Sequence, residues 1–143
     1  MDVKFRNKIS VNDYLKLRES AGWQNISARQ ARAGLRNSAY VLAAIYKGET
    51  IGMVRIISDG GYVALIVDFA VLPEFRGKGV GSRMMEILME RVHDGIRDGE
   101  GVSVQLMAAK GRENFYRRFG FMERPYGKFG PGMSQWIQDT GGE

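Results

Sequence analysis

Residues 62–71, YVALIVDFAV, are apolar on both faces of an extended chain apart from one ionisable side chain, Asp68. Because successive strand residues point to opposite sides, such a run must be covered on both sides, which marks it as a central strand. It is followed at once by a turn carrying glycines at 77, 79 and 81, and then by a stretch with apolar residues at Met85, Leu88, Met89 and Val92. That i, i+3, i+4, i+7 spacing is the buried stripe of an amphipathic helix, here expected over residues 79–93. The glycine turn thus lies between a buried strand and an amphipathic helix, the arrangement around which the rest of the chain is read.

Asp68 sets a chemical condition on that strand. An isolated ionised carboxylate there would cost several kcal/mol, so it must be paired, hydrogen-bonded, protonated or placed at an opening in the sheet. Two readings follow: a structural carboxylate that binds backbone N–H groups or an arginine, or a general base or substrate anchor.

The remaining elements fall around this unit. Residues 2–8 read as an edge strand, and Ser10 as the N-cap of a helix over 11–21. Ser27 caps a second, short helix over 28–36. Residues 39–46 and 50–57 form strands joined by the KGE turn. After the helix at 79–93, residues 102–108 read as a strand and 112–119 as a short helix stopped by Gly120. Two further strand-like pieces lie near 121–124 and 134–137. The order predicts one α/β domain over residues 1–143 with a mixed sheet.

Composition removes several chemistries. The chain has no cysteine and one histidine, His93. Disulfide frameworks, thiol nucleophiles and thiolate or multi-histidine metal sites are therefore excluded, and no metal is expected. No apolar run approaches the ~18 residues of a membrane helix, and MDVKFRNKIS has no apolar signal core, so a cytoplasmic protein is expected. The net charge of +5 informs attraction to anions more than identity. Its placement is more telling, because Arg76, Lys78 and Arg83 surround the glycine turn while Lys110, Arg112, Arg117 and Arg118 cluster later. Nucleic acid is not the expected partner, since none of the usual reading motifs is present.

The turn PEFRGKGVGS fits a diphosphate. Glycine lets backbone approach a ligand closely, and the helix behind it adds ~0.5 of positive charge at its N-terminus. Arg76, Lys78 and Ser82 supply further donors. Neither the mononucleotide P-loop pattern nor the dinucleotide GxGxxG fingerprint is present.

Arg76-Gly77-Lys78-Gly79-Val80-Gly81, behind a strand ending Val71-Leu72-Pro73, resembles motif A of the GNAT superfamily of N-acetyltransferases. Phe115-Tyr116-Arg-Arg-Phe-Gly120-Phe121 is similar to that family's FYxxxGF segment. The resemblance implies a GNAT-like, mostly antiparallel mixed sheet. In it a V-shaped splay separates two central parallel strands, and helices cover both faces. Acetyl-CoA would lie in the V as co-substrate. The backbone of Phe69, Ala70 and Val71 would pair with the pantetheine arm. The amides of Arg76, Gly77, Lys78, Gly79, Val80, Gly81 and Ser82 would hold the pyrophosphate. Arg112, Arg117 or Arg118 would reach the adenosine phosphate. Tyr116 matches the family's tyrosine near the sulfur, where a phenol can protonate the departing thiolate after a neutral amine attacks the thioester. Asp68, directly or through water, is the candidate for taking the amine's proton. Asn114 stands in a different register from the family's asparagine, and a cofactor contact is assigned to it on the resemblance alone.

The acceptor side is less defined. Trp23, in a loop of the 14–36 region that flanks the acceptor pocket in this family, is the candidate contact, although aromatics there also serve as packing. No acidic cluster suits a polycation, so a small primary amine is the expected acceptor. Alternatives are a protein N-terminus or lysine as acceptor, or a non-catalytic CoA-binding regulatory module. The resemblance also allows a homodimer through the tail strands.

Overall fold

In the computed structural model, which describes residues 1–141, the chain divides into two compact units that meet in sequence after Leu106. The first carries a five-stranded sheet in the order β1-β2-β3-β4-β5: β1 (Val3–Arg6), β2 (Tyr40–Tyr46), β3 (Glu49–Ile57), β4 (Val63–Val71) and β5 (Ser103–Leu106). Its first four strands are antiparallel neighbours, and β5 joins β4 in parallel. The helices are α1 (Val11–Ser20), α2 (Ala28–Arg36) and α3 (Val80–Asp94).

Local chemistry sets these boundaries. The Ser10 hydroxyl accepts from the Asp13 amide at 3.1 Å and starts α1. At α2, Ser27 Oγ accepts from the Gln30 amide at 3.0 Å while Gln30 Oε1 accepts from the Ser27 amide at 3.1 Å, a reciprocal capping box. The β2–β3 hairpin turns through Lys47 and Gly48, both at positive φ (48° and 78°), as a tight two-residue connection requires.

The core lies on both faces of the sheet. Along β3, Gly52 and Arg55 differ by an odd number of residues and so face opposite sides. A Cβ at Gly52 would sit 3.0 Å from Met84 Sδ of α3, whereas the Arg55 guanidinium meets the backbone of Gly34 in α2. Helices therefore cover both faces, as expected. The buried face of α3 is Val80, Met84, Met85 and Leu88. The expected stripe captured Met85 and Leu88, but Met89 and Val92 are only half-buried and Met84 was missed. The mixed, mostly antiparallel sheet with a parallel β4–β5 pair also agrees with the expectation. Those two strands pair from Val63 with Ser103 to Ile66 with Leu106, and β4 continues for residues 67–71 beyond the last pair.

The second unit contains α4 (Glu113–Arg117), shorter than the expected 112–119, and ends its turn at Gly120 with φ 89°. Against the expectation, neither 121–124 nor 134–137 is a strand; among the described residues the one bridge beyond α4 joins Tyr126 and Phe129. A strand needs a hydrogen-bonded neighbour, and the sheet's ladders give these residues none. Phe121 is half-buried, whereas Met122, Trp136 and Ile137 are exposed, Trp136 at 53% and Ile137 at 81%.

Candidate active site

β4 leaves the sheet through Leu72 and a 3-10 turn (Pro73–Phe75), and the chain then reaches α3 through the glycine turn. Arg76 Nε donates to the Val71 carbonyl at 3.1 Å, tying the start of the turn to the end of β4. Gly77 and Gly79 both adopt left-handed backbone, with φ of 73° and 83°, and a Cβ at either would meet nothing within 4 Å. These glycines are thus required by conformation, and the space beside them is open. Gly79 is also the N-cap of α3, and it leaves the helix start without a side-chain cap. Lys78 is exposed at the same turn. A fifteen-residue helix presenting its first amides behind two open glycines, flanked by Arg76 and Lys78, is suited to a polyphosphate anion. Val80 turns its side chain into the core, so only its amide is available there. Ser82 is half-buried in the first turn of α3.

Phe69, Ala70 and Val71 end β4. Ala70 pairs with Met53, and Val71 with Gly52, on the β3 side. Just before them, Asp68 and Phe69 stand opposite the single residue Val54, a bulge in which Asp68 has φ 57°. The Asp68 carboxylate is encircled: Oδ2 accepts from Arg55 Nε at 2.6 Å and from the Tyr14 hydroxyl at 2.5 Å, and Oδ1 accepts from Arg18 Nη1 at 3.0 Å. Of the two readings of Asp68, this geometry displays the paired carboxylate. Burial raises the Tyr14 phenol above its ordinary value, and its hydrogen bond to Asp68 raises it further. Burial works against the charge on Arg55, but the Asp68 hydrogen bond and negative charge outweigh it and hold the guanidinium above its ordinary value.

Sequence reasoning did not single out Tyr14, Arg18 or Arg55. The available signal was Arg55, an ionisable residue inside the apolar strand TIGMVRII, one hairpin away from an equally isolated Asp68. Trp23, the expected acceptor contact, is half-buried, with the Arg18 guanidinium 5.5 Å from its ring centroid.

In the second unit, Tyr116 lies on α4 with its ring edge-on to Phe115 at 5.1 Å and to Phe121 at 6.2 Å. Burial raises its hydroxyl above the ordinary tyrosine value, and nearby Arg112 lowers it by less. Asn114 Oδ1 accepts from Arg117, which also pairs with Glu123. Arg118 lies over the rings of Phe115 and Phe119, at 5.2 and 5.8 Å. Arg112 is exposed at the N-cap of α4. Among the described residues, no group of three or more metal-ligating side chains could hold an ion. No helix among them is long and apolar enough to cross a membrane.

The acetyltransferase (GNAT) domain model matches residues 37–123, and the chain belongs to this family of acetyl-transferring enzymes. It is 30% identical over 132 residues to the uncharacterized N-acetyltransferase ycf52 of Porphyra purpurea, an alignment covering 88% of this chain and 74% of that protein. It is 29% identical over 131 residues to a Glycine max protein named histone acetyltransferase TAP1, covering 83% of this chain and 54% of the relative. Among solved structures, a probable acetyltransferase from Staphylococcus aureus superposes with a TM-score of 0.83 at 33% identity, covering 96% of this chain and all of the other.

Proposed function

We propose that residues 1–143 form one acetyltransferase domain that moves an acetyl group from acetyl-CoA to a small primary amine. The observation that carries this reading is the turn of residues 76–81, where two left-handed glycines set the uncapped start of α3 beside open space. In this reading the amides of Arg76, Gly77, Lys78, Gly79, Val80, Gly81 and Ser82 hold the pyrophosphate, and the backbone of Phe69, Ala70 and Val71 holds the pantetheine arm. Arg112 remains the candidate for the adenosine phosphate, because Arg117 is committed to Asn114 and Glu123 and Arg118 to two phenyl rings. With Asn114 holding Arg117, its contact to the cofactor is indirect.

Acetyl-CoA supplies the acetyl group as an activated thioester. Tyr116 serves as the general acid that protonates the departing sulfur, and its raised affinity for a proton keeps the phenol neutral at physiological pH. Because both Asp68 oxygens already accept from Tyr14, Arg18 and Arg55, we assign Asp68 to organising β4. The ammonium proton is then lost to solvent before attack, and the proton released from nitrogen as the tetrahedral adduct collapses replaces the one that the Tyr116 phenol gave up to sulfur. No covalent intermediate on the enzyme is involved, consistent with a chain that has no cysteine.

A second reading takes a protein amine as acceptor, and it is supported by the relative named as a histone acetyltransferase. A thermal-shift titration with acetyl-CoA, with ATP and NAD as controls, tests the cofactor. A ligand at 100 times Kd adds ~2.7 kcal/mol and should raise Tm by several degrees. Thiol release with small amines against lysine peptides then separates the acceptors, and a shift without any release would make the chain a CoA-binding module. No shift with acetyl-CoA would sink both enzymatic readings.

A further inference from the structure

The β4–β5 ladder ends at Ile66, and the bulge at Asp68 and Phe69 begins two residues later. The place where β4 parts from β5 is therefore also the place where β4 bends. Bulges re-aim the strand beyond them, so the direction taken by residues 69–71 depends on the bulge being held. Asp68 at φ 57° occupies a conformation that a non-glycine residue keeps only when its surroundings over-determine it.

Those surroundings are specific. Arg55 grips Asp68 through Nε, while its Nη1 donates to the Gly34 carbonyl and to Ser38 Oγ, each at 3.1 Å. Arg18 grips the other oxygen, and its Nη2 donates to the Gln24 carbonyl at 2.8 Å. One carboxylate thus joins the β4 bulge to α1, to the loop after α1, to α2 and to β3. The carboxylate and both guanidinium groups have side-chain exposures of only 11–14%. Tyr14 is 2% exposed, so no substrate reaches it directly.

We propose that Arg18 and Arg55 are positioning residues that act through Asp68 to hold the β4 bulge, and so set residues 69–71 for the CoA arm. This inference rests on the reading that acetyl-CoA lies along β4. Arg55→Met removes the grip, Arg55→Lys restores a cation with a single donor nitrogen in place of the guanidinium fork, and Asp68→Asn keeps the shape and tolerance of positive φ but loses the charge.

The full chain and its variants are titrated with CoA by calorimetry, with Tm recorded for each. Leu42→Ala, a cavity in β2, serves as a destabilised control. Folded Arg55→Met and Asp68→Asn are expected to bind CoA at least tenfold more weakly, Arg55→Lys to recover part of the loss, and Leu42→Ala to melt lower with unchanged affinity. Variants that melt lower yet bind CoA as the wild type does would reduce the cluster to a fold-stabilising role and overturn the proposal, as would an equal loss of affinity in Leu42→Ala. If Arg55→Met and Asp68→Asn do not fold, Arg55→Lys decides alone: a Kd raised threefold or more supports the proposal, and an unchanged Kd overturns it. A wild-type chain that does not bind CoA would overturn the cofactor reading itself and the positioning role with it, an outcome distinct from failure in the variants alone.

Discussion

The guanidinium of Arg55 reaches across one strand pair to place Nε 2.6 Å from Asp68 Oδ2, while the register pairs Arg55 with Val67 and leaves Asp68 in the bulge. The ion pair therefore joins residues that the sheet ladder does not pair, and it locks a strand at its point of irregularity. Removing one member of a buried pair leaves the other charge desolvated, at a cost of about 3–5 kcal/mol. Asp68→Ala strands two guanidinium groups and strains the backbone at φ 57°, so it should lose at least that much stability in urea unfolding. A loss below 1 kcal/mol would show the cluster to be energetically idle.

Tyr116→Phe removes one oxygen from a ring already wedged between Phe115 and Phe121. The packing should survive, kcat should fall by about 10²-fold, and acetyl-CoA affinity should stay within a factor of two. Single-turnover kinetics beside calorimetry separates the two quantities. Unchanged turnover would remove Tyr116 from the chemistry.

Gly79→Val places a branched side chain at φ 83° and in the open space at the start of α3. The backbone strain should cost about 1–3 kcal/mol. CoA binding should fall far more than stability does, and a folded variant with wild-type affinity would refute the turn's role.

Gly52 tests the other face of the sheet. An alanine Cβ there would meet Met84 Sδ at 3.0 Å and the Ala70 carbonyl oxygen at 3.3 Å. Met84 is fully buried and the carbonyl is backbone, so Gly52→Ala should destabilise by about 1–3 kcal/mol through overpacking. A thermal melt that rises instead would mean that α3 yields freely.

Alkaline pH should act through tyrosine. Tyr14 and Tyr116 both hold their protons above the ordinary value of 10.0, so the unfolded chain releases them first as pH rises. Stability from these groups is complete below pH 10.0 and is lost as pH climbs through the folded-state values. Melts from pH 8 to 11 should stay level until about 10 and then drop, with a smaller drop in Tyr14→Phe. Turnover should likewise show no falling limb from Tyr116 below about pH 10.

What the sequence made legible was local. Ser10 and Ser27 announce their helices because a hydroxyl three residues from an amide caps it wherever the chain goes. The glycine turn reads clearly because positive φ at Gly77 and Gly79 is a property of those residues alone. The tail was misread for the opposite reason. The adjacent Trp136 and Ile137 are side chains that strands favour, but pairing depends on a partner that residue type does not specify. The Asp68 cluster lay further out of reach, since Tyr14 and Arg18 come to it from 54 and 50 residues away. An isolated carboxylate in an apolar strand demanded a partner; only the folded arrangement of α1 on β3 and β4 chose which.

The strand order of the sheet carries a kinetic consequence. Neighbours β2, β3 and β4 are also consecutive in sequence, so they can zip as hairpins with little loop entropy to overcome. β5 can dock on β4 only after residues 72–102 have been gathered, including all of α3. The antiparallel meander should thus be protected from hydrogen exchange early in refolding, and the parallel strand late. The nascent sheet in between has the lateral edge of β4 uncovered, and that edge is where crowding or slow synthesis would expose the chain to misassociation.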